Sequence, residues 1–264
     1  MLICRFAAGD DIWYGALDGL GDNDDITEDT IVAPIAGHPF VEIKPEGSVL
    51  KAADVRLLAP VLPSKVVCVG KNYRAHAAEM GGEVPEEPLL FLKPNTSVIG
   101  PGDPIDLPWQ SEQVEHEGEL AVVIGRMCKD VPVDRVNDVI FGYTCANDVT
   151  ARDLQKSDGQ WTRAKGFDTF CPLGPWIQTE LVPADADITV TVNGEQRQHS
   201  GIDALVHDVP ALIAYISSVM TLLPGDVVLT GTPAGVGPLS RGDSVSVQIS
   251  GIGTLTNPVR SEAP

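Results

Sequence analysis

Five consecutive apolar residues, Leu120-Ala121-Val122-Val123-Ile124, follow directly on two glutamates one residue apart, Glu117 and Glu119. A short unbroken apolar run of this kind reads as a buried strand, so the chain must build a β core whose entry carries charge. Side chains alternate along a strand, so over residues 114–124 the two glutamates leave the same face, with Cα atoms roughly 6.5–7 Å apart. Carboxylates that close repel unless something positive lies between them. A hard divalent ion, which prefers oxygen ligands, is the simplest candidate. An isolated Glu-x-Glu also fits a solvated strand edge, so the pair alone leaves both readings open.

With 264 residues, 43% apolar and 21% charged, the chain is long enough for one large domain with a small appendage. Its formal charge of −19 excludes nucleic acid and anionic membrane as expected partners, since both need a basic surface. No basic stretch followed by an apolar core opens the chain, and the Ala211–Leu223 run is too short to span a bilayer. Five scattered cysteines without a C-x-x-C pair argue against a zinc cluster or a disulfide framework. The expectation is a reduced, cytoplasmic protein. Against the acidic background, residues 152–165 hold Arg152, Lys156, Arg163 and Lys165 opposed by Asp153 and Asp158. That segment suits an anion site, or equally a solvated helix face.

Residues 1–60 read as a small separate unit, with a strand around Ile12–Ala16 and a connector over 54–63 that ends in prolines. Residues 61–264 then form the main domain. Val66–Gly70 and Leu89–Lys93 read as strands flanking a short helical piece in which His76 and Glu79, three apart, share a face. They form either an acid–base pair or an ordinary surface pair. The aperiodic GGEVPEEP stretch (81–88) reads as a mobile loop compatible with a lid. Thr150 and Asp153 resemble a capping box, which would place Arg152 in a first helical turn. Residues 161–176 read as a glycine- and aromatic-rich loop around a site. Asn193-Gly194 marks a hairpin, and Asp208 opens a core helix over 209–220 that Pro224-Gly225 stops. The glycine-rich 230–237 loop lacks the lysine and spacing of a P-loop. Many short strands with few helices make this a β-dominated α+β chain.

Five stretches, VGKNYRAHAAEM (69–80), EHEGELAVVIG (115–125), NDVTARDLQ (147–155), WTRAKGFDTFCPLGP (161–175) and LTGTPAGVG (229–237), together resemble the fumarylacetoacetate hydrolase family over roughly residues 63–259. The resemblance implies a mixed β-sandwich roll, usually a homodimer, acting on 2-oxo acids and acylpyruvates with Mg²⁺ or Mn²⁺. It assigns Glu117, Glu119 and Asp148 to the metal and His76 and Glu79 to a lid dyad. Lys165 becomes the catalytic lysine, and Arg152, Gln155, Thr232 and Tyr73 the substrate contacts. The first sixty residues resemble the N-terminal extension of bacterial 2-hydroxyhepta-2,4-diene-1,7-dioate isomerases, which points to isomerisation of a small anionic 2-oxo dicarboxylate in aromatic-compound catabolism. Acylpyruvate or fumarylpyruvate hydrolysis and oxaloacetate decarboxylation use the same enolate chemistry. A non-catalytic organic-acid or metal-binding protein on this scaffold would not need His76, Glu79 and Lys165. Near a metal and an arginine, Lys165 is expected to favour its neutral amine.

Overall fold

The computed structural model describes residues 1–261. Strands dominate it. The largest sheet runs, edge to edge, through Leu50–Lys51, Ile31–Ile35, Asp11–Asp18, Leu2–Ala8, Cys171–Gln178, Ile140–Asn147, Gly118–Ile124, Val227–Leu229, Val66–Gly70 and Leu89–Lys93. Most neighbours are antiparallel, but Val227–Leu229 runs parallel to Val66–Gly70, so the sheet is mixed. A five-stranded sheet of Glu195–Gly201, Asp187–Val192, Ser244–Ile249, Gly253–Ser261 and Ile105–Leu107 packs over it. Among the described residues no helix is long and apolar enough to cross a membrane.

The Gly118–Ile124 strand shows why its apolar run is continuous. Leu120, Val122 and Ile124 belong to one hydrophobic cluster, and Ala121 and Val123 to another on the opposite face. A strand covered on both faces has no solvent side to make polar. A Cβ added to Gly118 would lie 2.2 Å from Val190 and 3.3 Å from Val247, so residue 118 faces the five-stranded sheet. Glu119 takes the other parity, shared with Ala121 and Val123.

Several local expectations change in three dimensions. The strand anticipated over 114–124 breaks at Glu117 into Val114–His116 and Gly118–Ile124, because the first piece pairs with Thr150–Ala151 in a separate three-stranded sheet. That pairing also removes the capping box. Thr150 is strand, its hydroxyl donates to the Asp148 carbonyl at 2.8 Å, and Ala151 caps the Arg152–Asp158 helix without a side-chain bond. Asp153 instead accepts from the Ser111 hydroxyl at 2.6 Å and the Glu112 amide at 2.9 Å. Within the anticipated 54–63 connector, Arg56–Leu58 pairs with Leu2–Ala8. The anticipated 161–176 loop holds a short helix, Thr162–Lys165, and most of the buried strand Cys171–Gln178. The core helix ends at Val219, before the prolyl stop, and starts as expected with Asp208 accepting from the Ala211 amide. Asn193 and Gly194 both have positive φ (54° and 80°) and close the expected hairpin.

The N-terminal strands are not detached. Leu2 and Ile3 pair with Gln178 and Ile177, joining the first strands to the central sheet.

Candidate active site

The end of the Gly118–Ile124 strand carries the charge. Its neighbour Ile140–Asn147 runs antiparallel with Gly118 opposite Asn147, so Asp148 emerges beside the two glutamates. The Asp148 amide donates to the Glu117 carbonyl at 2.8 Å, and the Glu117 amide to Asn147 Oδ1 at 2.9 Å, tying both chain turns together. Glu117, Glu119 and Asp148 are all buried, and each offers an oxygen within 4.8 Å of the others. Glu119 is further fixed by the Gly231 amide at 2.6 Å. Gly231 has φ of +104°, and a Cβ there would come 2.8 Å from Asn72, so this close approach requires glycine.

Three buried cations surround the acids. Lys165 Nζ donates to Glu117 Oε2 at 2.7 Å and Asp148 Oδ2 at 2.6 Å. Lys93 Nζ reaches Asp148 Oδ1 at 2.5 Å and the Val149 carbonyl at 3.1 Å. The Arg152 guanidinium spends Nε on Glu115 at 2.8 Å, one amino group on Gln155 Oε1 at 2.6 Å and the other on Glu117. Burial alone would raise the Glu117 carboxyl, but Lys165 and Arg152 outweigh it and hold it well below the usual range. For Glu119, burial and the neighbouring Asp148 and Glu117 all act upward, pushing its carboxyl well above that range. Burial lowers Lys165, yet Asp148 and Glu117 more than compensate and raise it to about 12. The neutral amine is expected beside a metal; in the chain alone, two carboxylates are the immediate contacts of Lys165 and favour its charged form.

Four carboxylates, counting Glu115, face three cations in this buried cluster. The group is thus short of positive charge, and the shortage falls on Glu119. An all-oxygen set of converging carboxylates with one member electrostatically unsatisfied suits a hard divalent ion.

A cavity of about 220 Å³ opens above these groups, lined among others by His76, Glu117, Glu119, Asp148, Arg152, Gln155, Lys165 and Thr232. His76 is buried, and its Nδ1 lies 3.1 Å from Glu79 Oε2. Glu79 in turn accepts from the Gly235 amide at 3.0 Å, so the dyad is pinned to the glycine-rich loop rather than free at a surface. The 81–88 loop beside it contacts the core helix region, with Pro85 O 3.3 Å from His207 Nε2 and the Tyr215 hydroxyl donating to Glu87 at 3.4 Å. The Thr232 hydroxyl donates to the Gly118 carbonyl and accepts from Gln198, both at 2.8 Å. Nine of the ten anticipated residues therefore meet at or beside one cavity. Tyr73 does not line it: it is buried next to a neighbouring groove with Arg74, His199 and Ser200.

Lys93 escaped the sequence reading. It sits on an edge strand, Leu89–Lys93, and only its burial and its contact with Asp148 reveal it. Removing one partner of a buried ion pair leaves uncompensated charge. Lys93→Met should therefore lower the unfolding free energy of the metal-free protein by about 3 kcal/mol, measured by urea denaturation. An unchanged value would show that Lys165 alone satisfies Asp148.

A family model described as Fumarylacetoacetate (FAA) hydrolase C-terminal matches residues 65–260. The chain belongs to the fumarylacetoacetate hydrolase family. A second model, Rv2993c-like N-terminal, matches residues 1–60 of this family member. The protein Rv2993c of Mycobacterium tuberculosis is 56% identical over 263 residues, 98% of each chain. A mitochondrial oxaloacetate tautomerase of Arabidopsis thaliana is 46% identical over 195 residues, covering 72% of this chain and 87% of the relative. Among solved structures, 2-hydroxyhepta-2,4-diene-1,7-dioate isomerase from Mycobacterium marinum is 53% identical with TM-score 0.92 over 100% of both chains. The maleylpyruvate hydrolase of Sphingobium sp. SYK-6, in complex with manganese (II) ion and pyruvate, is 32% identical with TM-score 0.79, again over 100% of both chains. These relatives of the fumarylacetoacetate hydrolase family include isomerases, tautomerases and hydrolases, so family membership leaves the reaction to the site.

Proposed function

We propose that this protein is a divalent-metal-dependent enzyme acting on a small 2-oxo dicarboxylic acid through an enolate, with 2-hydroxyhepta-2,4-diene-1,7-dioate isomerisation in aromatic-compound catabolism as its leading reaction. One observation carries the reading: three buried carboxylates, a buried lysine that bridges two of them, and His76 held by Glu79 meet at one cavity. Mg²⁺ is the proposed resident ion. Manganese is the alternative, supported by the maleylpyruvate hydrolase complex. A homodimer is the proposed working state.

An ion held by Glu117, Glu119 and Asp148 would supply Lewis-acid polarisation of a chelating 2-oxo carboxylate. The other steps belong to the chain. Lys165, kept charged by its two carboxylates, offers a full positive charge to the oxygen that gains electron density as a C–H or C–C bond breaks. His76 has Nδ1 engaged by Glu79, leaving Nε2 to accept the 2-hydroxyl proton of the dienol and to deliver a proton to C5, so that the 2,4-diene becomes the 2-oxo-3-ene. Arg152, with all three nitrogens engaged, orients Glu117 and Gln155. The Gln155 amide nitrogen remains available to donate to the C1 carboxylate. Trp161 and Phe91, edge to face at 5.2 Å, give the cavity an apolar wall. The same dyad would activate water if the substrate offered a cleavable acyl group, so hydrolysis is the second reading, favoured by the hydrolase relative that binds pyruvate.

Conversion of oxaloacetate, acetylpyruvate, fumarylpyruvate and 2-hydroxyhepta-2,4-diene-1,7-dioate, followed by NMR with Mg²⁺ and with chelator, tests this. The expected result is chelator-sensitive conversion, fastest with the heptadienedioate and without C–C cleavage. Absence of metal-dependent turnover on every compound overturns it and favours a binding role.

A further inference from the structure

Each of the three converging acids has one oxygen held by a donor of its own. Glu117 Oε1 accepts from Arg152, Asp148 Oδ1 from Lys93 at 2.5 Å, and Glu119 Oε2 from the Gly231 amide at 2.6 Å. These donors come from the Arg152–Asp158 helix, the Leu89–Lys93 strand and the glycine-rich loop. The second oxygens behave differently. A single nitrogen, Lys165 Nζ, reaches both Glu117 Oε2 and Asp148 Oδ2, at 2.7 and 2.6 Å, so these two oxygens converge. Among the described residues Glu119 Oε1 has no hydrogen-bond partner.

The division matters because divalent ions differ in how they use a carboxylate. Ca²⁺ takes about 6–8 oxygens and commonly chelates both oxygens of one group, whereas Mg²⁺ keeps a tight octahedron of single oxygens and waters. A donor fixed on one oxygen opposes chelation through both, and an ammonium opposes it most, since it repels the incoming ion. Lys93 is that ammonium for Asp148. It is 1% exposed, its Nζ is held a second time by the Val149 carbonyl at 3.1 Å, and it is not among the residues lining the cavity. Its position is thus fixed from behind the acid, out of reach of a substrate.

We infer that Lys93 is a positioning residue that sets metal selectivity: by holding Asp148 Oδ1 it confines Asp148 to one ligand oxygen and disfavours Ca²⁺ relative to Mg²⁺. The inference rests on the metal-dependent reading above and deepens it by naming the residue that chooses the ion. Charge alone does not produce this effect. Removing an ammonium strengthens the attraction for both ions together, because both are divalent. The ratio of the two affinities therefore reports how many Asp148 oxygens are offered, and a purely structural role leaves it unchanged.

The test is calorimetric titration of the full chain with MgCl₂ and with CaCl₂. The wild type should bind Mg²⁺ at least as tightly as Ca²⁺. Lys93→Met should shift the affinity ratio toward Ca²⁺ by about tenfold, the lower end of what the loss of a partner behind a metal ligand brings. Lys51→Met, which removes an exposed lysine far from the acids in sequence, should keep the wild-type ratio. Because Lys93→Met loses stability without metal, thermal melts with each ion in excess give a second reading of the ratio, through the stabilisation that each ion confers. A wild type that prefers Ca²⁺ by tenfold, or a Lys93→Met variant whose two affinities move together, overturns the selectivity role and leaves the metal-dependent reading intact. A wild type that binds neither ion overturns both.

Discussion

Glu119→Ala should abolish Mg²⁺ binding and reduce turnover by about a thousandfold. Glu119 is the acid with no cation of its own: Lys165 serves Glu117 and Asp148, Lys93 serves Asp148, and Arg152 serves Glu115 and Glu117. Among the described residues its one hydrogen-bond partner is the Gly231 amide. Burial and like charge already oppose its ionised form, so deleting it removes repulsion and the variant should fold. The loss should therefore appear in calorimetric Mg²⁺ titration of a protein whose thermal melt, taken without metal, is close to wild type. Unchanged Mg²⁺ affinity would falsify the assignment of the triad.

His76→Ala should separate chemistry from metal binding. Positioned general acid–base groups contribute typically 10²–10⁴-fold, so turnover should fall by roughly a thousandfold, while Mg²⁺ affinity stays within about twofold. The ring is held at 3.1 Å by Glu79, which the Gly235 amide holds at 3.0 Å. Loss of the ring removes a proton carrier without uncovering the acids. Near wild-type turnover in the variant would move the proton-transfer role to Lys165. Loss of metal affinity together with turnover would instead make His76 part of the cation's surroundings.

How much was legible in the chain varies by element. Local periodicity and turn chemistry identified the Gly118–Ile124 strand, the Asn193-Gly194 hairpin and the helix opened by Asp208, because each depends on residues within a few positions of one another. The capping box at Thr150 failed for the complementary reason. A cap is a local preference of about 1 kcal/mol, and here it lost to strand pairing with Val114–His116, more than thirty residues earlier. The strand break at Glu117 has the same origin.

The site divides in the same way. Spacing paired Glu117 with Glu119 and His76 with Glu79, and the resemblance to the family pointed to Asp148 and Lys165. Which of them touch, and in what charge state, was decided by tertiary structure alone. Lys93 became part of the site only when an edge strand brought its ammonium onto Asp148, and Tyr73 was carried to the neighbouring groove. Lys165 gained its proton's hold from two carboxylates that lie 17 and 48 residues away in the chain. The sequence by itself placed Glu117 and Glu119 on one face at the mouth of a buried strand, because alternation and residue chemistry are local. The balance of buried charge is a sum over residues brought together from the whole chain, and only the fold could decide it.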